Sequence, residues 1–229
     1  MKKQFSMAGM IFDFNGTLFQ DYDKHLAAWK VFAREKFGRE LILSEYEKNF
    51  HGRSNRYAIE YLSETLLSEA ETASLSEEKE AIYRELCLSD RESLSLAPGA
   101  SDLFDFLTER DIPRTIATAS CLANVNFYVE RFGLGRWFDA AKIVFDDGLI
   151  PGKPEPDFYI RAALMIGVPA SVCVAAEDSR SGVIAAHSAG MGKIFALAAP
   201  GRKKDLEAMP EVYRVIENFE ELDRNLFTD

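Results

Sequence analysis

Four short polar clusters hold the residues best suited to chemistry. Asp13-Phe14-Asn15-Gly16-Thr17-Leu18 joins a carboxylate to a glycine, and Thr118-Ala119-Ser120 offers hydroxyls. Gly152-Lys153-Pro154 supplies a cation, and Glu177-Asp178-Ser179 an acidic pair. Alone, each is a weak signal that reads more readily as a turn, a structural hydroxyl or a surface charge. Together they offer a carboxylate nucleophile, donors for non-bridging oxygens, an ammonium for developing charge and hard oxygen ligands for magnesium. That combination suits phosphoryl transfer.

Bringing them to one place requires particular elements. Short apolar runs lie at Met10 to Phe14, Thr115 to Ala119, Lys142 to Phe145, Val172 to Ala176 and Lys193 to Leu197. Their length and β-branched content predict buried parallel strands. Amphipathic stretches at Ala100 to Arg110, Leu122 to Phe132, Asp157 to Ile166 and Gly182 to Ala189 predict helices between them. Alternating strands and helices make a doubly wound, Rossmann-like α/β parallel sheet, in which ligands bind at the C-terminal strand ends. The clusters follow four of these runs.

From Tyr22 to Asp90 no strand is expected, whereas Lys24 to Lys36, Ser54 to Leu67 and Ser76 to Leu88 read as helices. Ala97-Pro98-Gly99 then marks a turn. The expectation is an α/β core of residues 1–21 and 91–229 with an α-helical domain, residues 22–90, inserted after the first strand. The Glu-rich stretch from Ser63 to Glu80 reads as a solvated helical face.

The chain has 229 residues, 47% hydrophobic, with a formal net charge of -10. Such acidity argues against nucleic-acid or anionic-membrane partners, which need an excess of Lys and Arg. Cys87, Cys121 and Cys173 are widely spaced and form neither a CxxC pair nor a Cys/His cluster, so neither zinc nor a disulfide framework is expected. The N-terminus MKKQFSMAGMIFDF lacks the h-region of a signal peptide, and no apolar stretch is long enough to span a bilayer. A cytoplasmic monomer acting on a small molecule is the expectation.

The four clusters resemble the four motifs of the haloacid dehalogenase superfamily, and the helical insert resembles its first-type cap. That resemblance implies that Asp13 attacks phosphorus and forms an aspartyl-phosphate. It places Thr118, Lys153 and the backbone N–H groups of Phe14 and Ala119 around the phosphate, with Ser120 beside them. Magnesium would be held by Asp13, the backbone carbonyl of Asn15 and Asp178, with Glu177 binding directly or through water. Within the superfamily the β-phosphoglucomutase-like branch is the nearest likeness. His25 and its neighbours look like that branch's first cap helix, and Arg53 and Arg56 fall in a stretch similar to its substrate loop. Trp29 reads as cap core.

Position 15 departs from the pattern. Family phosphatases and mutases carry a second aspartate there, as general acid and then base. A carboxamide donates a hydrogen bond but exchanges no proton near neutral pH, and such help is worth roughly 10²- to 10⁴-fold. Asn15 thus reads as a trapping substitution, as a natural residue with another group such as His25 moving the proton, or as drift toward binding. The leading expectation is a magnesium-dependent phosphatase of a sugar phosphate. The alternatives are a mutase and a phosphometabolite-binding protein.

Overall fold

In the computed structural model, which describes residues 7–90, 92–198 and 203–228, the apolar runs become strands. The first six residues, on which the signal-peptide expectation partly rests, lie outside the described residues. The strands are β1 (Gly9–Phe12), β2 (Arg114–Cys121), β3 (Val144–Asp146), β4 (Cys173–Glu177), β5 (Lys193–Leu197) and β6 (Arg214–Ile216). Helices α1 (Tyr22–Phe37), α2 (Leu43–Asn49), α3 (Asn55–Ser63) and α4 (Glu69–Ser89) follow β1. Helices α5 (Ala100–Glu109), α6 (Leu122–Arg131), α7 (Asp157–Ile166), α8 (Arg180–Ser188) and α9 (Lys203–Glu207) alternate with the later strands. Among the described residues the strands form one parallel sheet in the order β3-β2-β1-β4-β5-β6.

Continuous apolarity in β1 follows from burial of both sheet faces. Successive side chains point to opposite sides. Ile11 joins a core with Val144, Phe158, Ala162, Ala175 and Ile194. Phe12 meets the rings of Phe104, Phe138 and Phe219 edge-on, with centroids 5.2, 5.9 and 5.8 Å away. The β1 backbone pairs with β2 on one side and β4 on the other. The ends of three adjacent strands, carrying three of the four clusters, therefore stand side by side.

The chain divides into two compact units, Asp21–Ser95 and the remainder. The Asp21–Ser95 unit is helical, with a core of Trp29, Phe32, Leu41, Tyr46, Phe50, Ile59 and Leu62. Helix α4 starts at Glu69 rather than Ser76 because Ser68 and Glu71 form a capping box. The Ser68 N–H donates to Glu71 Oε2 at 3.0 Å, and the Glu71 N–H donates to Ser68 Oγ at 3.3 Å. Helix α3 stops at Ser63, short of Leu67, because Glu64 turns into the left-handed region with φ 57°.

The expected solvated face needs correction at its C-terminal end, where Lys79 and Glu80 are buried. Lys79 Nζ donates to Glu80 Oε1 at 2.7 Å and lies 4.9 Å from the Trp29 ring centre; Asn55 Nδ2 donates to the same carboxylate oxygen at 2.8 Å. Burial alone would raise the Glu80 pKa. The charges of Lys79 and His25, with hydrogen bonds from Lys79 and Asn55, outweigh burial and pull it from 4.5 down to about 2. A carboxyl depressed on folding stabilises above its unfolded value and loses that contribution as pH falls toward the folded value. Urea unfolding is therefore expected to show stability falling as the pH drops from 5 toward 2, by ~3 kcal/mol if the whole shift is expressed. Glu80→Gln should be less stable at pH 7, because Lys79 loses its buried partner, but should have a flatter profile across that window. Equal acid slopes in both proteins would contradict this assignment.

Candidate functional site

Asp13 directly follows β1 and is buried, its backbone N–H donating to the Ala176 carbonyl of β4 at 2.9 Å. Its carboxylate is held by Lys153, whose Nζ donates to Oδ1 at 2.6 Å. The same ammonium bonds Glu177 Oε1 at the end of β4. Glu177 is wholly buried and caged: the Tyr159 hydroxyl donates to Oε1 at 3.0 Å. The Asp178 N–H, the Ser179 N–H and the Ser179 hydroxyl donate to Oε2 at 3.0, 3.2 and 3.1 Å. A Cβ at Gly182 would collide with this carboxylate. Asp178 completes a trio whose ligand atoms, with those of Asp13 and Glu177, lie within 4.8 Å of one another. Gly16 makes room for it. Its φ is 77°, and a Cβ there would sit 2.5 Å from Asp178 Cγ.

Three carboxylates around one ammonium leave excess negative charge. Burial raises the Asp13 pKa, Lys153 pulls it down, and Glu177 and Asp178 push it up again; the net is well above the usual carboxylate range. Burial opposes the Lys153 charge, but Asp13 and Glu177 prevail and raise its pKa above the ordinary lysine value. Burial, and then the Glu177 charge, raise the Tyr159 phenol well above 10.

Asn15 faces β2. The Ser120 hydroxyl donates to Asn15 Oδ1 at 2.7 Å and the Thr118 hydroxyl at 3.3 Å. Asn15 Nδ2 donates to the Tyr128 hydroxyl at 2.8 Å. The Tyr128 ring stacks on Phe14 with centroids 4.1 Å apart, and its oxygen lies 3.2 Å from Ser120 Oγ. The Ser120 N–H donates to Thr118 Oγ1 at 3.1 Å, tightening the strand end. Ala119, partly exposed, lies between these two residues.

Asp13, Phe14, Asn15, Thr118, Ala119, Ser120, Lys153, Glu177 and Asp178 thus belong to one unit, and hydrogen bonds join most of them. Three other sequence candidates lie in the helical unit. Arg53 stands 5.0 Å over the Tyr57 ring, and Arg56 is exposed beside Glu60 at 3.4 Å. His25 stacks on Tyr83 with centroids 3.9 Å apart. Its Nδ1 is 3.0 Å from Lys79 Nζ, and its Nε2 3.4 Å from Asp21 Oδ2. An ammonium only donates, so Nδ1 accepts from Lys79 and the ring proton of a neutral His25 belongs on Nε2.

Tyr128, Tyr159 and Ser179 were not anticipated. Tyr128 shares the buried face of α6 with Asn124 and Val125, at a spacing that reads simply as core. Tyr159 lies six residues beyond Lys153 among the buried residues of α7. Ser179 stands in the sequence merely as the neighbour of the acidic pair.

A family model described as haloacid dehalogenase-like hydrolase matches residues 7–190. The chain is 31% identical over 193 residues to β-phosphoglucomutase from Bacillus subtilis, covering 81% of each protein. It is 28% identical over 189 residues to the phosphorylated carbohydrates phosphatase of Thermotoga maritima, covering 82% of this chain and 84% of that one. A solved HAD hydrolase of family IA, variant 3, from Entamoeba histolytica superposes with a TM-score of 0.85 at 34% identity, covering 96% of this chain and 97% of that one.

Proposed function

Because the chain belongs to the haloacid dehalogenase-like hydrolase family, whose members here are phosphoryl-transfer enzymes, we propose that it is a magnesium-dependent phosphatase of a small phosphorylated metabolite, namely a sugar phosphate. The observation that supports this most strongly is the Asp13 carboxylate held by Lys153 beside Glu177 and Asp178. The inserted helical unit is proposed as a cap domain of the first type, with His25, Arg53 and Arg56 as its candidate substrate contacts.

The donor set fits a small hard dication. It consists of carboxylate oxygens, Gly16 opens the approach to Asp178, and the excess negative charge falls where a cation would offset it. Asp13, Asp178 and the Asn15 carbonyl would hold magnesium directly. Glu177 would act through water, since both its oxygens already accept protein hydrogen bonds. When bound, magnesium offsets charge on the carboxylates and the phosphate.

An Asp13 carboxylate oxygen attacks phosphorus; an O–P bond forms and the ester O–P bond breaks. The leaving oxygen takes its proton from water, because Asn15 has none to give near neutral pH. Lys153 offsets charge on the transferring group, while the Thr118 hydroxyl and the N–H groups of Phe14 and Ala119 hold its oxygens. Water then cleaves the aspartyl-phosphate, releasing phosphate and restoring Asp13.

A panel of phosphate esters with magnesium distinguishes the alternatives. Released phosphate supports this proposal, an isomerised sugar phosphate replaces it with a mutase, and binding without turnover replaces it with a regulator. Asp178→Ala is expected to shift half-activation to several-fold higher magnesium, and calcium to substitute poorly because it takes longer contacts and more ligands. An unchanged magnesium titration would remove Asp178 from the ligand set. Lys153→Ala should lower kcat/KM by about 10²- to 10³-fold. Lys153→Arg should recover only part of this, its planar fork being wider than an ammonium. Unchanged kcat and KM in Lys153→Ala would misplace the phosphate site.

A further inference from the structure

Asn15, Ser120 and Tyr128 close a ring of hydrogen bonds. Asn15 Nδ2 donates to the Tyr128 oxygen at 2.8 Å, and Ser120 Oγ donates to Asn15 Oδ1 at 2.7 Å. Ser120 has then used its one hydrogen, so across the 3.2 Å between the hydroxyls Tyr128 is the donor. Within the ring, each member gives one bond and takes one. A carboxamide suits this ring because it brings both a donor and an acceptor. A carboxylate would draw both hydroxyl hydrogens to itself and leave none for the Ser120–Tyr128 bond. The ring is also fixed from outside. Tyr128 is buried on α6 and stacks on Phe14, the residue between Asp13 and Asn15, while Thr118 adds a 3.3 Å bond to Asn15 Oδ1.

We infer that Tyr128 is a positioning residue, whose phenol, held by the Phe14 stack, sets the plane of the Asn15 carboxamide and its place beside Asp13. The carboxamide completes the ring, and Tyr128 acts through it. The catalytic part of this inference rests on the phosphatase proposal; the ring does not.

Two measurements test it. With an aryl phosphate and magnesium, kcat and KM are compared for the wild-type chain, Tyr128→Phe, Asn15→Ala and the double variant. Tyr128→Phe should lower kcat by about 10-fold with KM unchanged. In the Asn15→Ala background the same change should matter by less than about twofold, since the group it positions is gone. Equal losses in both backgrounds would overturn the inference, because a merely structural tyrosine costs the same with or without Asn15. The second measurement needs no turnover and no folded variant of Tyr128. In nitrogen-15-labelled wild-type protein, the Asn15 side-chain amide, identified by its loss in Asn15→Ala, should exchange with water far more slowly than exposed asparagine amides. Exchange as fast as theirs would show that the ring does not form, whatever the activity.

Discussion

Asp13→Asn is expected to leave a folded chain without measurable turnover. The amide matches the carboxylate in size and can remain in contact with Lys153. Burial first, and then the charges of Glu177 and Asp178, raise the Asp13 pKa; a neutral amide escapes both penalties, so the fold should tolerate the change. Catalysis should not. An amide is a far poorer nucleophile, and removing the nucleophile of a hydrolase can cost on the order of 10⁶-fold in kcat. Steady-state assays with an aryl phosphate, alongside thermal unfolding, check both halves. Retained phosphatase activity in purified, folded Asp13→Asn would exclude Asp13 as the attacking group.

The second large effect has the opposite sign. Asn15→Asp should raise turnover at least ~10-fold, because general acid–base help is worth roughly 10²- to 10⁴-fold. Its surroundings indicate which step gains more. The hydroxyls of Ser120, Thr118 and Tyr128 that face residue 15 would all donate to a carboxylate, and bonds to the charged form favour it. Asp at position 15 should therefore work mainly as the base for water attacking the aspartyl-phosphate. The gain should be largest for aryl phosphates, whose departure needs little protonation. The ring nitrogens of His25 both face partners within the helical unit, Lys79 and Asp21, rather than standing free for this role. If Asn15→Asp improves neither formation nor hydrolysis of the phosphoenzyme, Asn15 is adapted to another reaction and the phosphatase proposal falls.

The sheet was legible in the sequence because its strands are buried on both faces. Lys193–Leu197 coincides with its apolar run, and β1, β2 and β4 overlap theirs. Helix α7 has the bounds its pattern predicts. Strand β6 left no such signal. It is three residues long, at the sheet edge, and begins with the exposed Arg214. Helix α2 was missed because only Tyr46 of its seven residues is buried, giving no periodic stripe. Buried Glu80 was misjudged for a different reason. A Glu-rich run suggests solvent, and only tertiary packing reveals that Lys79 and Asn55 pair with that carboxylate.

The site was legible to the extent that its groups are charged and follow strands. Asp13, Glu177 and Asp178 meet because the adjacent parallel strands β1 and β4 end together, and Lys153, from the segment between β3 and α7, bonds both Asp13 and Glu177. The hydroxyls around them were harder to foresee. A tyrosine on a buried helix face looks the same whether its ring only fills the core or its phenol also meets an asparagine. Tyr128 does both, and its partner lies 113 positions away in sequence.

Rapid-quench mass spectrometry of the chain during turnover of an aryl phosphate with magnesium tests the central claim most directly. In the wild-type chain, Asn15 leaves water to attack without an adjacent carboxylate base, so hydrolysis of the intermediate should be slow and the intermediate should accumulate. The expected result is a phosphoryl group on the peptide containing Asp13, labile to hydroxylamine as an acyl phosphate is, less abundant in Asn15→Asp and absent from Asp13→Asn. Phosphate release with no adduct in either active protein, or an adduct on any other residue, would contradict the aspartyl-phosphate mechanism.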